Sequence, residues 1–375
     1  MINYGKHTIL KRDIEEVTKV LKSDHLTTGP TIEKFEHSLI NKFGGKYCVV
    51  LSNGSAALFL LGKALNWSKG DHIGTTPISF IATANCIVNN NASPEFVDID
   101  PKTYTIDPNK LEEKLKKKKL KAVIAVDYAG HPCDWEALKY LSNKYNFTLI
   151  NDACHSMGSE YNKNVKYAIK YAHFVTQSFH PVKAITTGEG GSIITNNKKI
   201  SDKIKLMKNN SMIRNKNLDP WEYEIENHGM NYRISDIQCA LGISQLKSLD
   251  SFVKKRRELA KIYQTELKFN NNFILPSEDK KVLHSYHLFP VQIKFDKMKI
   301  TKKKMFFTLL KKGIRLQVHY IPIHMQPFYK KNFKINRNEL QNSENFYKNE
   351  FSLPLFPNLK KNQLLKVIKE LKILK

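Results

Sequence analysis

The sequence has no long apolar run. Nowhere in its 375 residues do 18 apolar residues follow one another, so a membrane span is not expected. The N-terminal residues lack a basic stretch followed by an apolar one, so we expect no secretory signal. We also find no internal repeat and no low-complexity linker. At 41% hydrophobic residues, the chain can build a large core, and its length predicts two domains.

Cysteine is scarce, and its spacing excludes the usual metal and disulfide patterns. The five cysteines form no Cys-x-x-Cys pair and lie far apart, at positions 48, 86, 133, 154 and 239. An odd number of scattered cysteines favours reduced thiols over disulfides or a zinc site. The sequence therefore predicts a cytoplasmic protein without a bound metal.

Acidic residues are too few to balance the basic ones. The chain has 61 Lys and Arg against 35 Asp and Glu, a formal net charge of +26. Such an excess can serve nucleic-acid binding. The lysines are spread along the whole chain, however, and their densest run, residues 114–121, is typical of the solvated end of a helix. We therefore expect no nucleic-acid partner, although a positive surface would attract anionic substrates such as nucleotide sugars.

The pattern of apolar residues predicts an α/β domain followed by a smaller α+β domain. Short apolar strands alternate with amphipathic helices in the first part, which is typical of a parallel sheet covered on both faces. The predicted strands are 47–51, 121–127, 148–152, 173–179 and 191–195. After Ser235, the expected N-cap of helix 236–249, the pattern changes to a basic helix 251–267, a helix 302–312, a strand 316–320 and a last helix 361–371. We place the boundary between domains 1–249 and 250–375.

Lys183 is the most informative single residue. It follows a predicted strand and precedes a glycine-rich turn, where a lysine can point into a cleft and form a Schiff base with a cofactor aldehyde. A lone lysine is usually a surface residue, so the neighbours decide. Ser178 lies five residues earlier and could reach a phosphate, and Gly188, Gly190 and Gly191 permit a close backbone approach.

Two further residues fit a pyridoxal phosphate site. Asp152 ends a predicted parallel strand, at the edge where α/β sheets bind ligands, and pyridoxal phosphate needs a carboxylate beside its ring nitrogen. A loop aspartate that caps a turn is the alternative. His155 could contact the cofactor ring, although a lone histidine is more often structural.

A phosphate seat is predicted at Gly54, Ser55 and Ala56. They stand at a strand-to-helix turn, with Ser55 expected to open the helix 56–65, and a helix N-terminus offers N–H groups to a phosphate. Phe80 could stack on a cofactor ring, although an aromatic residue here could also belong to the core. Asn231 is a turn residue before the helix at 236.

With these residues placed, the chain resembles the DegT/DnrJ/EryC/StrS family of sugar aminotransferases over essentially its full length. The resemblance implies the aspartate aminotransferase fold, fold type I of the pyridoxal-phosphate enzymes, with a mixed, mostly parallel central sheet. It also implies a homodimer with sites at the subunit interface. The matching strings are LTTG (26–29), SNGSAAL (52–58), ATAN (82–85), DACHSMG (152–158), SFHPVKAITTGEGG (178–191) and GMNYRISDIQ (229–238).

The resemblance assigns roles to individual residues. It implies a Schiff base to the cofactor at Lys183, a ring-nitrogen partner at Asp152, stacking by Phe80 and a ring neighbour at His155. Ser55 and Ser178 would contact the phosphate, and Asn231 would reach the phosphate of the neighbouring subunit's cofactor. Expected substrate residues are Thr28, His319, Tyr320 and His324.

One branch of the family, which acts in pseudaminic acid biosynthesis, shares further strings with this chain, including TTPISF (75–80), VDYAG (126–130) and QVHY (317–320). This implies transfer of an amino group from L-glutamate to C4 of a UDP-linked 4-keto-6-deoxy-N-acetyl-L-altrosamine precursor. Some family members have histidine at the lysine position and act as dehydratases, so Lys183 favours transamination. The alternatives are a sibling enzyme with a bacillosamine- or perosamine-type keto sugar and, more remotely, a non-catalytic regulator or nucleic-acid-binding protein of the same fold.

Overall fold

The computed structural model describes residues 1–214 and 219–374. Its strands are, in chain order, β1 (Tyr47–Leu51), β2 (His72–Thr75), β3 (Ser93–Phe96), β4 (Ala122–Val126), β5 (Thr148–Asp152), β6 (Glu160–Tyr161), β7 (Phe174–Ser178), β8 (Gly191–Thr195), β9 (Met212–Ile213), β10 (Glu224–Ile225), β11 (Phe273–Ile274), β12 (Val282–Leu283), β13 (Phe289–Ile293) and β14 (Glu350–Leu353).

The helices surround these strands and cover both faces of the largest sheet. They are α1 (Lys11–Leu21), α2 (Pro30–Phe43), α3 (Gly54–Ala64), α4 (Ala82–Asn89), α5 (Pro108–Lys117), α6 (Trp135–Tyr145), α7 (Tyr167–Tyr171), α8 (Lys198–Met207), α9 (Asp236–Leu246), α10 (Leu249–Leu267), α11 (Lys302–Lys311), α12 (Pro327–Asn332), α13 (Gln341–Asn349) and α14 (Lys361–Ile373). Short 3-10 turns lie at Tyr128–Gly130, Phe295–Lys297, Ile323–Met325 and Arg337–Glu339.

The central sheet has seven strands in the order β1-β8-β7-β5-β4-β2-β3. Strand β8 pairs antiparallel with both of its neighbours, β1 and β7, while the other pairings are parallel. The six strands other than β8 therefore end at one edge. The predicted α/β fold with a mixed, mostly parallel sheet is confirmed.

Continuous apolar strands explain why this sheet is buried on both faces. Every residue of β4, with the sequence AVIAV, is buried. Its side chains alternate between two core clusters, one containing Val123 and Ala125 and the other Ala122 and Ile124. Because both faces are apolar, only a sheet with helices on each side can bury the strand, as in other parallel sheets.

A second, smaller core lies in the C-terminal part of the chain. The antiparallel sheet β11-β13-β14 packs with residues of α10, α11 and α14 in one apolar cluster. Ile2 also belongs to this cluster and bridges to Ile314. The boundary predicted after residue 249 stays a prediction, although α10 does begin at Leu249.

Two local predictions were wrong. Helix α3 begins at Gly54 because the side chain of Asn53, not Ser55, accepts the capping hydrogen bond, from the N–H of Ala56 at 2.8 Å. The predicted strand 316–320 is not formed. Only Gln317 pairs there, with Ser352, and the N–H of His319 donates instead to the Glu350 side chain at 3.0 Å.

Two other predictions concern the membrane and the cysteines. Among residues 1–214 and 219–374, no helix has both the length and the apolar character that crossing a bilayer requires. All five cysteines are free thiols, and all but Cys154 are buried.

Candidate active site

The site forms where the parallel strands end. Asp152 is the last residue of β5 and Ser178 the last of β7, and Gly54 begins α3 three residues after β1 ends. Because β1, β5 and β7 point in the same direction, the topology brings these three positions to one edge of the sheet. This is the edge at which α/β proteins bind ligands.

Lys183 lies on the connection between β7 and β8. A hydrogen bond joins the two ends of this connection: the N–H of Phe179 donates to the carbonyl of Gly190 at 2.8 Å. A tight turn follows, in which the N–H of Lys183 donates to the carbonyl of His180 at 2.9 Å. Burial lowers the pKa of the Lys183 amine, against the opposing influence of Cys154 and Asp152. The amine therefore lies near Asp152 and is easier to deprotonate than an exposed lysine.

Asp152 is a buried carboxylate, 4% exposed. Its Oδ2 accepts a hydrogen bond from the hydroxyl of Thr83 at 2.8 Å, and its Oδ1 accepts one from the N–H of Cys154 at 3.2 Å. A carboxylate oxygen can accept more than one hydrogen bond, so a protonated ring nitrogen can still be accommodated. Sequence reasoning missed Thr83, whose only signal was its place in the string ATAN.

The N-terminus of α3 and the end of β7 form a narrow seat. A Cβ on Gly54 would come within 2.9 Å of Cβ of Ser178 and 3.3 Å of its Oγ. The N–H groups of Gly54 and Ser55 belong to the first helical turn and so have no acceptor within the helix. Ser55 is exposed and Ser178 is partly buried. Free N–H groups, a positive helix end and a hydroxyl are what a phosphate requires.

His155 is 4% exposed and lies between the sheet edge and the segment that contains Tyr320. Its Nδ1 accepts from the N–H of Ala129 at 3.3 Å, and its Nε2 lies 3.3 Å from the hydroxyl of Tyr320. Burial holds the pKa of His155 well below its usual value, with Lys183 and His319 acting in the same direction. A neutral ring that accepts at Nδ1 has its hydrogen on Nε2, so His155 donates toward Tyr320.

Phe80 is 55% exposed on the loop between β2 and α4. Its ring centre lies 6.2 Å from that of Tyr320. The two aromatic rings are therefore neighbours, and Phe80 has an exposed face available for stacking.

The structure does not bring all predicted substrate residues together. His319 is 6% exposed. Its pKa is lowered to about 3, mainly by burial and also by the charge of the nearby Lys183. His324 is 1% exposed, and its Nε2 lies 3.0 Å from Oε1 of Glu344, which also binds Arg337. These contacts give His324 a structural partner in α13.

Thr28 and Asn231 are exposed. Thr28 has a positive φ of 58° and precedes Gly29, whose N–H donates to Asp236 at 2.8 Å. Asn231 is next to Tyr232, whose carbonyl accepts from the N–H of Ser52 at 3.0 Å. Asn231 is thus anchored beside the start of α3, and its role toward a neighbouring subunit stays a prediction.

These residues fit pyridoxal phosphate. The amine of Lys183 has a lowered pKa, the buried carboxylate of Asp152 suits a ring nitrogen, and the gap between Gly54 and Ser178 is one that a Cβ would fill. Among the described residues, no group of three or more His, Cys, Asp or Glu side chains could hold a metal ion.

Comparison with known proteins agrees with this geometry. The model of the DegT/DnrJ/EryC1/StrS aminotransferase family matches residues 7–372. A Campylobacter jejuni protein named UDP-4-amino-4,6-dideoxy-N-acetyl-beta-L-altrosamine transaminase is 39% identical over 356 residues, which cover 94% of this chain and 92% of that protein. A Helicobacter pylori protein of the same name is 36% identical over 359 residues, with 95% and 93% covered.

Solved structures give the same result. PseC of Helicobacter pylori, an aminotransferase of pseudaminic acid biosynthesis, aligns with a TM-score of 0.91 and 34% identity over 99% of this chain and 98% of that one. The sugar aminotransferase candidate Spr1654 of Streptococcus pneumoniae, in its pyridoxal-phosphate form, aligns with a TM-score of 0.90 and 25% identity over 100% of both chains.

Proposed function

The chain belongs to the DegT/DnrJ/EryC1/StrS aminotransferase family, and from that membership we propose that it transfers the amino group of L-glutamate to C4 of a UDP-linked 4-keto-6-deoxy-N-acetyl-L-altrosamine. The product would be UDP-4-amino-4,6-dideoxy-N-acetyl-β-L-altrosamine. The observation that carries this choice of sugar is the 36–39% identity to three proteins named for that transaminase activity, over 94–95% of this chain.

The chain is a pyridoxal-phosphate-dependent aminotransferase. When bound, pyridoxal phosphate supplies an acceptor for the electrons released at the donor's Cα. Asp152 would hold the ring nitrogen, while Gly54, Ser55, Ala56 and Ser178 would hold the phosphate.

Lys183 performs the proton transfers in this proposal. Its lowered pKa increases the fraction of free amine near neutral pH, and the free amine is the form that attacks an aldehyde or takes up a proton. In the first half of the reaction the amine removes the Cα proton of L-glutamate. In the second half the protonated amine delivers a proton to C4 of the sugar, whose keto carbon carries none.

Two aromatic residues are available to the sugar. Phe80 and Tyr320 are neighbours, and their rings can cover the apolar side of a deoxy sugar and exclude water. The net charge of +26 favours the approach of a UDP group, since a positive surface attracts anions over long range.

A homodimer with shared sites is part of the proposal. Phe80 is 55% exposed, Leu26 is 48% exposed and Trp221 is 74% exposed, and a second copy of the chain would bury such apolar side chains. The exposed Asn231 could then reach the partner's phosphate seat. Light scattering that gives the mass of one chain at micromolar concentration would overturn the dimer.

The free thiols and a UDP-linked substrate support a cytoplasmic location.

A half-reaction experiment tests the proposal. The purified holoenzyme is first converted with L-glutamate to the amino form of its cofactor, and one keto sugar at a time is then added. We expect the aldehyde-form absorbance to return with the L-altro-configured UDP 4-keto sugar, and to return at least tenfold more slowly with the bacillosamine- or perosamine-type precursors.

Each outcome separates the candidates. A faster return with another keto sugar would keep the aminotransferase and overturn the altrosamine assignment. If L-glutamate leaves the absorbance unchanged, the donor assignment is wrong. The same protein with Lys183→Ala is the control, because it retains the sheet edge and lacks the amine.

A further inference from the structure

The segment 317–320 connects the small antiparallel sheet to the active site. At Gln317 it pairs with β14 through the backbone, since the N–H of Ser352 donates to the carbonyl of Gln317 at 2.8 Å and the N–H of Gln317 donates back at 3.3 Å. This backbone pairing does not extend to His319. At His319 the segment is hydrogen-bonded to side chains of β14 instead.

Glu350 and Ser352 hold His319 at two places. The fully buried Glu350 accepts the backbone N–H of His319 on Oε2 at 3.0 Å. Its Oε1 lies 2.6 Å from the hydroxyl of Ser352, and that hydroxyl lies 2.8 Å from Nδ1 of His319. A chain of two hydrogen bonds thus joins a buried carboxyl group to the imidazole ring.

His319, at the far end of this hydrogen-bond chain from Glu350, lies next to residues of the proposed active site. The ring of His319 is near enough to Lys183 for the lysine charge to lower its pKa. The next residue, Tyr320, has its hydroxyl 3.3 Å from Nε2 of His155. Because the two residues are adjacent in the chain, the contacts that hold His319 also hold Tyr320 in its position beside His155.

The single hydroxyl hydrogen of Ser352 leaves two directions open. Either Ser352 donates to an ionised Glu350 and accepts from Nδ1 of His319, or a protonated Glu350 donates to Ser352, which donates to Nδ1. Burial raises the pKa of Glu350, although the charge of the nearby Lys302 opposes this shift. The protonated form of Glu350 is therefore more populated than that of an exposed glutamate. A protonated Glu350 donates to Ser352, which then donates to Nδ1 of His319. In that arrangement, since burial keeps His319 neutral, the ring's own hydrogen lies on Nε2.

We propose that Glu350 and Ser352 are positioning residues of this aminotransferase, which fix the orientation and the tautomer of His319 and, with it, the place of Tyr320 beside His155. Both residues are fully buried in β14, so both act through the 317–320 segment. The inference rests on the aminotransferase function proposed above and is independent of which keto sugar is the substrate.

The tautomer of His319 is a direct test. Holoenzyme with 15N-labelled histidine shows the protonation of each ring nitrogen by NMR, and the His319 signals are those missing from His319→Gln. We expect the hydrogen on Nε2 in the wild type and a mixture of tautomers in Ser352→Ala, where the chain is broken. A hydrogen on Nδ1 in the wild type, or a tautomer that Ser352→Ala leaves unchanged, overturns the inference.

The L-glutamate half-reaction tests the consequence for catalysis. For Ser352→Ala we expect its maximal rate to fall about fivefold to tenfold, the equivalent of one buried hydrogen bond, with the apparent affinity for L-glutamate changed less than twofold. The matched control is Ser343→Ala, since Ser343 is fully buried and donates to the carboxylate of Asp98. Equal rates in the two variants overturn the inference.

Variants of Glu350 separate positioning from general stability. In Glu350→Gln the amide keeps one acceptor for the N–H of His319 and one donor for Ser352, as a protonated carboxyl does, so we expect the tautomer and rate of the wild type. Glu350→Leu lacks both and should match Ser352→Ala. A Gln variant as slow as the Leu variant contradicts the proposal. Failure of every keto sugar to react overturns the proposed substrate and leaves these measurements intact.

Discussion

The hydroxyl of Thr83 donates a 2.8 Å hydrogen bond to Oδ2 of Asp152, and the same hydroxyl lies 2.8 Å from that of Ser79. Because the single hydrogen of Thr83 goes to the carboxylate, the hydrogen between the two hydroxyls comes from Ser79. Two neutral side chains, Ser79 from the β2–α4 connection and Thr83 from the first turn of α4, thus orient a charge at the end of β5. The carboxylate is held in place by the protein itself.

We expect Thr83→Val to weaken cofactor binding. Valine has nearly the shape of threonine but no donor, and a hydrogen bond to a charged group contributes about 1.5–3 kcal/mol. The dissociation constant of pyridoxal phosphate, titrated into the apoprotein by absorbance, should rise about tenfold. Thr83→Ser keeps the hydroxyl and should bind within a factor of about two of the wild type. Equal affinity for the Val and Ser variants would contradict the role of Thr83.

Lys183→Ala should abolish turnover. A positioned acid–base group contributes about 10²–10⁴-fold to a rate, and in the proposed function the same amine also holds the cofactor. We expect a loss of at least about 10³-fold in steady-state amino transfer. Lys199→Ala is the control, because Lys199 is an exposed lysine on α8, and it should keep full activity. Turnover of Lys183→Ala within tenfold of the wild type would remove this residue from the mechanism.

Gly54→Ala should close the phosphate seat. The new methyl group would come within 2.9 Å of Cβ of Ser178, and both neighbours lie on regular elements that cannot easily shift. We expect affinity for pyridoxal phosphate to fall at least about tenfold. Gly5→Ala is the control, since its Cβ would meet Val182 at an ordinary 3.7 Å. Unchanged affinity in Gly54→Ala would place the phosphate elsewhere.

Glu350 makes folding stability depend on pH. Burial raises its pKa to about 8, whereas in the unfolded chain it is about 4.3. A group whose folded-state pKa is raised contributes stability below the unfolded value and loses it as pH rises through the folded one. Relative to Glu350→Gln, the wild type should lose on the order of 3 kcal/mol of unfolding free energy between pH 5 and 8.

Denaturant unfolding of both proteins at pH 5, 6, 7 and 8 measures this difference. Comparing the two proteins at each pH cancels the groups that do not interact with Glu350, so the difference reports Glu350 together with Lys302, whose pKa it influences. A constant difference across the range would mean that Glu350 titrates as an ordinary carboxyl. Lys302→Met is a useful second variant, because loss of the opposing charge should raise the pKa of Glu350 further. The pH range over which unfolding free energy is lost should then extend to higher pH.

The sequence predicted the parallel part of the fold well, because its strands are apolar throughout. Strands β1, β5 and β8 have the predicted bounds, and β7 is one residue shorter at each end than predicted. The start of α3 was less predictable. Asn53 and Ser55 are both good N-cap residues, and their local sequence does not distinguish them; in the structure Asn53 accepts the N–H of Ala56.

The predicted strand 316–320 failed for a similar reason. Its alternation of apolar residues is typical of a strand, yet the N–H of His319 finds a side-chain acceptor in Glu350 instead of a backbone carbonyl. Long-range side-chain partners also explain why Thr83 and Ser352 were missed. Neither stands in a motif with chemistry of its own, and each acquires a role only through a residue distant in the sequence.

The antiparallel strand β8 has a consequence for the flexibility of the site. Because β8 returns beside β7, the loop that contains Lys183 begins and ends at the same place, and the bond between Phe179 and Gly190 closes it. A closed loop has already lost most of its backbone entropy on folding. Under the proposed function, capture of the cofactor by Lys183 would need to order only one side chain, so little binding energy would be lost to conformational entropy.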